Sequence, residues 1–184
     1  MVIYVTNRKI CRGDFLWRIE MLARQRPHAI MLREKDLPKP EYEALAKDVR
    51  DICGRNGVGL IVNREIETAS KLGITRIHLS MDDLRKNRDM LSGFSQVGAS
   101  VHSAVEAQEA RKLGASCLVA GHIYSTDCKK GVPPRGLEFL REVCRTVDIP
   151  VFAIGGITAG RIGEVVSAGA RGACIMSAAM TCEI

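Results

Sequence analysis

The sequence predicts a closed (β/α)8 barrel on three observations. Short apolar runs alternate with helix-like amphipathic stretches along the whole chain, and eight such pairs fit into 184 residues, near the lower size limit for this architecture. The runs are continuously apolar rather than alternating, which suits a parallel sheet covered on both faces. Polar residues collect immediately after them, where a barrel carries its chemistry. A doubly wound open sheet is the alternative reading of the same alternation.

Val2 to Val5 is the first strand, ended by Thr6-Asn7, and Asp14 can cap a helix through Phe15-Leu16-Trp17 and Met21-Leu22, whose spacing matches one helical face. His28 to Leu32 is the second strand, and Lys39-Pro40 opens a helix that stops at Gly54. Val58 to Val62 leads to a short helix ending at Gly73, and Thr75 to Leu79 to a brief one ending near Met90. Gln96 to Val101 follows, with Ser103 capping a helix to Gly114. Cys117 to Ala120 precedes a polar loop and a helix from Leu137 to Val147. Pro150 to Ile154 ends in Gly155-Gly156, Thr158 begins a helix to Gly169, and Gly172 to Met176 is the last strand. Only Ala178 to Ile184 follows it, so the eighth helix is truncated or missing. Either a neighbouring subunit, as in a homodimer, covers strand 8, or the tail is absent from the chain. The expected organisation is one barrel domain over residues 1–184.

A formal charge of +6 is spread without a basic block, and aromatics are only 4% of residues, which argues against nucleic acid and for small anionic ligands. No apolar run reaches the length of a membrane span, and no leader pattern opens the chain, so a cytoplasmic protein is expected. Seven cysteines lack metal spacing, and their odd number favours free thiols.

The strand-end residues are Arg33, Lys35, Asn63, Asp83, Ser100, His102, His122, Lys129, Gly155, Gly156 and Ser177. Gly155-Gly156 and Met176-Ser177 follow strands 7 and 8, where barrels hold phosphate on backbone N–H groups; a simple tight turn is the plainer alternative. Arg33 and Lys35 share a face and suit a second anionic group, with Lys129 near the same mouth. His122 follows Ala120-Gly121 and can take and return a proton; hydrogen bonding to a neighbouring loop is the competing reading. Asp82 and Asp83 read as a helix N-cap or as ligands for Mg2+. His28 reads as structural, His78 as a wall residue, and Cys128 as a member of a polar loop.

Gly121-His-Ile-Tyr-Ser-Thr-Asp-Cys-Lys-Lys-Gly131, followed by Arg135-Gly136, strongly resembles the thiamine phosphate synthase/TenI family. Supporting matches are Leu32 to Lys35, Ile61 to Asn63, Ile77 to Leu79 with Asp82-Asp83, Val97 to Ser103, and Ile154 to Ile157 with Met176-Ser177. The resemblance covers nearly the whole chain and implies a barrel enzyme of the thiazole branch of thiamine biosynthesis. It implies a small phosphorylated thiazole substrate, with Asn63, Ser100, His102, Thr126 and Met176 joining the residues above in binding it. Synthases of the family carry Asp after the strand-3 Asn, Pro after the strand-6 Gly, and a second Thr before Lys; this chain has Arg64, His122 and Cys128 there. The expected activity is therefore thiazole tautomerisation, aromatising a carboxythiazole phosphate with His122 as the catalytic acid–base and no cofactor. The alternatives are an Mg2+-dependent thiamine phosphate synthase using Asp83, and a non-catalytic thiazole-phosphate-binding regulator.

Overall fold

Each apolar run becomes a strand because it is covered twice, by helices outside and by barrel side chains inside. The computed structural model describes residues 1–181. Its strands are β1 (Val2–Val5), β2 (Ala29–Leu32), β3 (Gly59–Asn63), β4 (Arg76–Leu79), β5 (Gln96–Val101), β6 (Cys117–Gly121), β7 (Val151–Ile154) and β8 (Gly172–Ile175). All pair in parallel in sequence order, and β8 returns to β1 through Tyr4 opposite Ile175, so the sheet is a closed barrel and not an open one.

The helices are α1 (Phe15–Arg24), α2 (Lys39–Arg55), α3 (Ile66–Lys71), α4 (Met81–Lys86), α5 (Ala104–Lys112), α6 (Gly136–Thr146), α7 (Ile162–Ser167) and α8 (Ser177–Thr181). Asp14 caps α1 by accepting from the Trp17 N–H at 2.7 Å, Ser103 caps α5, and Pro40 sits in the first turn of α2 where no N–H is required. The helix after β4 is capped by Ser80 rather than by Asp82 or Asp83. The stretch from Thr158 starts as a 3-10 turn over Ala159–Arg161 and becomes α7 only at Ile162, because Thr158 makes no capping hydrogen bond and Gly160 is a poor helix former. The eighth helix is short, as expected, and buries Ala179 and Met180. Residues 182–184, including Cys182, lie outside the described part of the chain.

Strand alternation sorts the apolar residues into two sets. Ile3, Val5, Ala29, Met31, Ile61, Cys117, Val119, Phe152 and Cys174 fill the barrel, whereas their sequence neighbours face the helices. Ile77 and Leu79 belong to the outer set, so His78 between them points inward. His28, at the opposite end from the polar strand ends, stacks on Phe152 with ring centroids 5.9 Å apart. The six described cysteines are free thiols, and no helix among the described residues is long and apolar enough to cross a membrane.

Barrel closure rests on a close approach at β8. A Cβ on Gly172 would lie 2.0 Å from the Met1 carbonyl oxygen, which accepts the Ala173 N–H at 3.0 Å. Gly172→Ala is therefore expected to destabilise the fold by about 1–3 kcal/mol, lowering the melting temperature by roughly 2–10 °C in a thermal scan.

Candidate active site

The strand ends meet around one mouth, and backbone contacts between successive loops set their positions. At β2, the Arg33 N–H donates to Thr6 Oγ1 at 2.9 Å, and the Thr6 hydroxyl donates to Glu34 Oε1 at 2.6 Å. Glu34, only 4% exposed, also accepts the Arg8 N–H, so a buried carboxylate staples the β1 and β2 loops and fixes the backbone that carries Arg33. Glu34 is not among the strand-end residues that the sequence marks out; its only signal there is Thr6 at the end of the neighbouring strand.

Beside it, Asn63 donates its side-chain amide to the His78 carbonyl at 3.2 Å and is buried. Arg64 takes a left-handed backbone (φ 72°), donates its N–H to the same carbonyl, and places Nε 3.1 Å from Asp83 Oδ2. The Ser80 hydroxyl donates to that same carboxylate oxygen at 2.6 Å. Lys35 is held below its ordinary pKa, first by partial burial and then by Arg33, Arg64 and Lys129, with Asp83 opposing. The structure thus gathers Arg33, Lys35, Arg64 and Lys129 into one cationic side of the mouth.

Below this side, His78 Nε2 lies 2.8 Å from Ser100 Oγ. Gly98 leaves room for the ring, since a Cβ there would sit 2.6 Å from His78 Nδ1. Burial, aided by the charge of Arg33, lowers the His78 pKa to about 4, so the imidazole is neutral near pH 7 and pairs with the serine as an uncharged group.

The other side is built from β5, β6, β7 and β8. His102 donates from Nδ1 to the Gly121 carbonyl at 2.8 Å, and Glu106 accepts its backbone N–H at 2.6 Å. His122 follows Gly121, is 4% exposed, and lies with Nε2 3.2 Å from the Val132 carbonyl. A carbonyl only accepts, so that bond puts the proton on Nε2 and leaves Nδ1 as the basic nitrogen. The loop hydrogen bond weighed as the plain reading of His122 is therefore present, and the ring is buried against the segment that carries Val132.

Gly155 (φ 101°) and Gly156 (φ 63°) are glycines because the β6 segment presses on them. A Cβ on Gly155 would lie 2.3 Å from His122 Cβ, and one on Gly156 would lie 2.4 Å from the Ser125 carbonyl oxygen. Ile123 and Tyr124 N–H groups donate to the Ile154 and Gly155 carbonyls at 2.9 and 3.0 Å. The N–H groups of Gly156 and Ile157 find no acceptor among the described residues. Thr126 Oγ1 accepts the Cys128 N–H and opens a one-turn 3-10 helix ending at Lys129. That turn brings Cys128 Sγ to 3.9 Å from Ser177 Oγ, so Cys128 borders the strand-8 end, a placement that sequence reading missed. Met176 packs against the barrel interior at the rim.

Both carboxylates that the sequence offers to Mg2+ are engaged by other side chains in this structure: Asp83 faces the Arg64 guanidinium and the Ser80 hydroxyl, and Asp82 pairs with Arg85 at 3.0 Å.

Comparison with known proteins gives a consistent picture. The family model described as thiamine monophosphate synthase (TMP-TENI) matches residues 2–179. The chain is 38% identical over 154 residues to the thiamine biosynthesis bifunctional protein ThiM/ThiE of Symbiobacterium thermophilum, covering 82% of this chain and 32% of that one. It is 34% identical over 182 residues to the thiamine-phosphate synthase of a Roseiflexus species, covering 97% and 77%. The chain thus spans about a third of the first relative and about three quarters of the second. Among solved structures, thiamine phosphate pyrophosphorylase from Pyrococcus furiosus superimposes with a TM-score of 0.88 at 29% identity, covering 99% of this chain and 88% of that one. The last two names belong to the transferase activity that the sequence placed second, not to the tautomerase it placed first.

The buried His78 makes stability depend on pH. Its pKa in the fold is below the ordinary 6.5, so the unfolded chain takes a proton first as pH falls, and the stability present above pH 6.5 is lost between 6.5 and about 4. Urea titration is expected to show the wild type losing about 2 kcal/mol more than His78→Gln between pH 7 and pH 5.

Proposed function

The chain belongs to the thiamine monophosphate synthase (TMP-TENI) family, and from that premise we propose that it acts on a phosphorylated thiazole of thiamine biosynthesis and catalyses its tautomerisation. The observation that carries the choice of reaction is the Arg64–Asp83 ion pair. Displacing pyrophosphate requires metal or comparable neutralisation of the leaving group, and here a guanidinium already engages Asp83, the carboxylate on which the Mg2+-dependent alternative relies. A proton shift needs a base of suitable pKa, an anchored substrate and cations for its carboxylate.

In this reading the unpaired N–H groups of Gly156 and Ile157, beside Gly155 and with Ser177 opposite, receive the phosphate. Arg33, Lys35 and Lys129 face the substrate carboxylate, which offsets the burial and the neighbouring positive charges that together lower the Lys35 pKa. Asn63, Ser100, His102, Thr126 and Met176 line the remaining wall. His122 Nδ1 removes the ring proton; the C–H electron pair enters the ring, the exocyclic double bond moves its pair outward, and the exocyclic carbon takes a proton from the imidazolium. Aromatisation supplies the driving force, and the step as written uses the imidazole alone as proton carrier.

The second reading is thiamine phosphate synthesis, favoured by the names of the relatives. Incubation with pyrimidine pyrophosphate, thiazole phosphate and Mg2+ separates the two: the proposed activity gives no substantial thiamine phosphate, and rapid formation of it overturns the tautomerase reading. His122→Ala is expected to slow aromatisation of the carboxythiazole phosphate by at least about a hundredfold with the fold intact by circular dichroism; near-normal turnover removes His122 from the mechanism.

A further inference from the structure

The β7 turn is held from outside the mouth by Arg161 and Glu164, which no motif singled out, together with Tyr124 of the Gly121–Gly131 motif. Arg161 Nη1 donates to the Gly156 carbonyl at 2.8 Å. Its guanidinium lies over the Tyr124 ring, 4.4 Å from the centroid, and the Tyr124 hydroxyl donates to Glu164 Oε2 at 2.7 Å. Tyr124 also grips the same turn through its backbone, donating its N–H to the Gly155 carbonyl. The peptide plane couples the two sides of this arrangement: the Gly156 carbonyl and the Ile157 N–H belong to one rigid trans unit and point in opposite directions. Pinning the carbonyl outward aims the N–H the other way, and that N–H is one of the donors with no acceptor among the described residues.

We propose that Arg161 is a positioning residue for the phosphate cradle, fixing the Gly156–Ile157 peptide so that its N–H meets a phosphate oxygen, and that Tyr124 and Glu164 hold Arg161 for this purpose. The proposal rests on the reading of the β7 turn as a phosphate site. It makes ligand binding depend on contact between the β6–α6 segment and the β7 turn, because Tyr124 belongs to the first and Arg161 follows the second. Arg161, Tyr124 and Glu164 act through the backbone and need not touch the ligand.

Inorganic phosphate is the probe, measured by calorimetric titration and as a competitive inhibitor of turnover. Arg161→Met and Tyr124→Leu are both expected to weaken phosphate binding by roughly fivefold to tenfold, and to raise KM by a similar factor with kcat nearly unchanged. Tyr124→Leu keeps the Arg161 charge, so its effect isolates positioning from simple attraction. Glu164→Gln, the mildest change, is expected to act in the same direction by a smaller factor. If Arg161→Met loses affinity while Tyr124→Leu and Glu164→Gln keep it, Arg161 acts by its charge and the positioning role is overturned. Wild-type affinity in Arg161→Met also overturns it. Failure of the wild-type protein to bind inorganic phosphate overturns the cradle reading itself, a result distinct from either outcome.

Discussion

The site depends on one close approach, between the segment that leaves β6 and the turn that follows β7. His122 and Ser125 occupy the space where Cβ atoms of residues 155 and 156 would be, and paired backbone hydrogen bonds from Ile123 and Tyr124 lock the two together. Only glycine satisfies that geometry. The glycines therefore do two things at once: they let the imidazole-bearing segment dock, and they leave backbone N–H groups of the turn unpaired. A larger residue would push His122 off its seat before it affected any ligand. Proton transfer and anion anchoring are thus joined by packing rather than by any direct bond between the groups concerned.

The opposite side of the mouth follows a different logic. Four cations converge there, and their repulsion is only partly offset by Asp83. The fold tolerates this because Glu34, buried and bonded to Thr6 and Arg8, fixes the local backbone from beneath. Such a concentration of positive charge lowers the free energy of an anionic ligand more than it contributes to the empty protein. His78 and Ser100 sit below it as a neutral pair, which keeps the barrel interior from adding a fifth positive charge near Arg33.

Much of the fold was legible in the sequence because barrel strands are covered on both faces and so read as uninterrupted apolar runs. All eight were located to within a residue or two, and β5 from Gln96 to Val101 coincides with its expected limits. The start of α7 was misplaced because a 3-10 turn and a helix share the same local composition. The site was legible only as a set of strand ends. Which polar groups are consumed by the backbone, as Asn63 and His102 are, depends on register between loops far apart in sequence. The Arg64–Asp83 pair and the Cys128–Ser177 contact are of the same kind: each joins two loops and leaves no periodic signal. The choice between the family's two reactions is where the names of the relatives and the geometry at Arg64 point in different directions.

That choice is the central claim, and the most direct test is to follow the carboxythiazole phosphate by NMR with and without a strong chelator. The account predicts appearance of the aromatic ring and replacement of the exocyclic vinyl signal by a methylene signal at the same rate in both samples. Conversion that collapses on chelation, or no conversion in either sample, would contradict it.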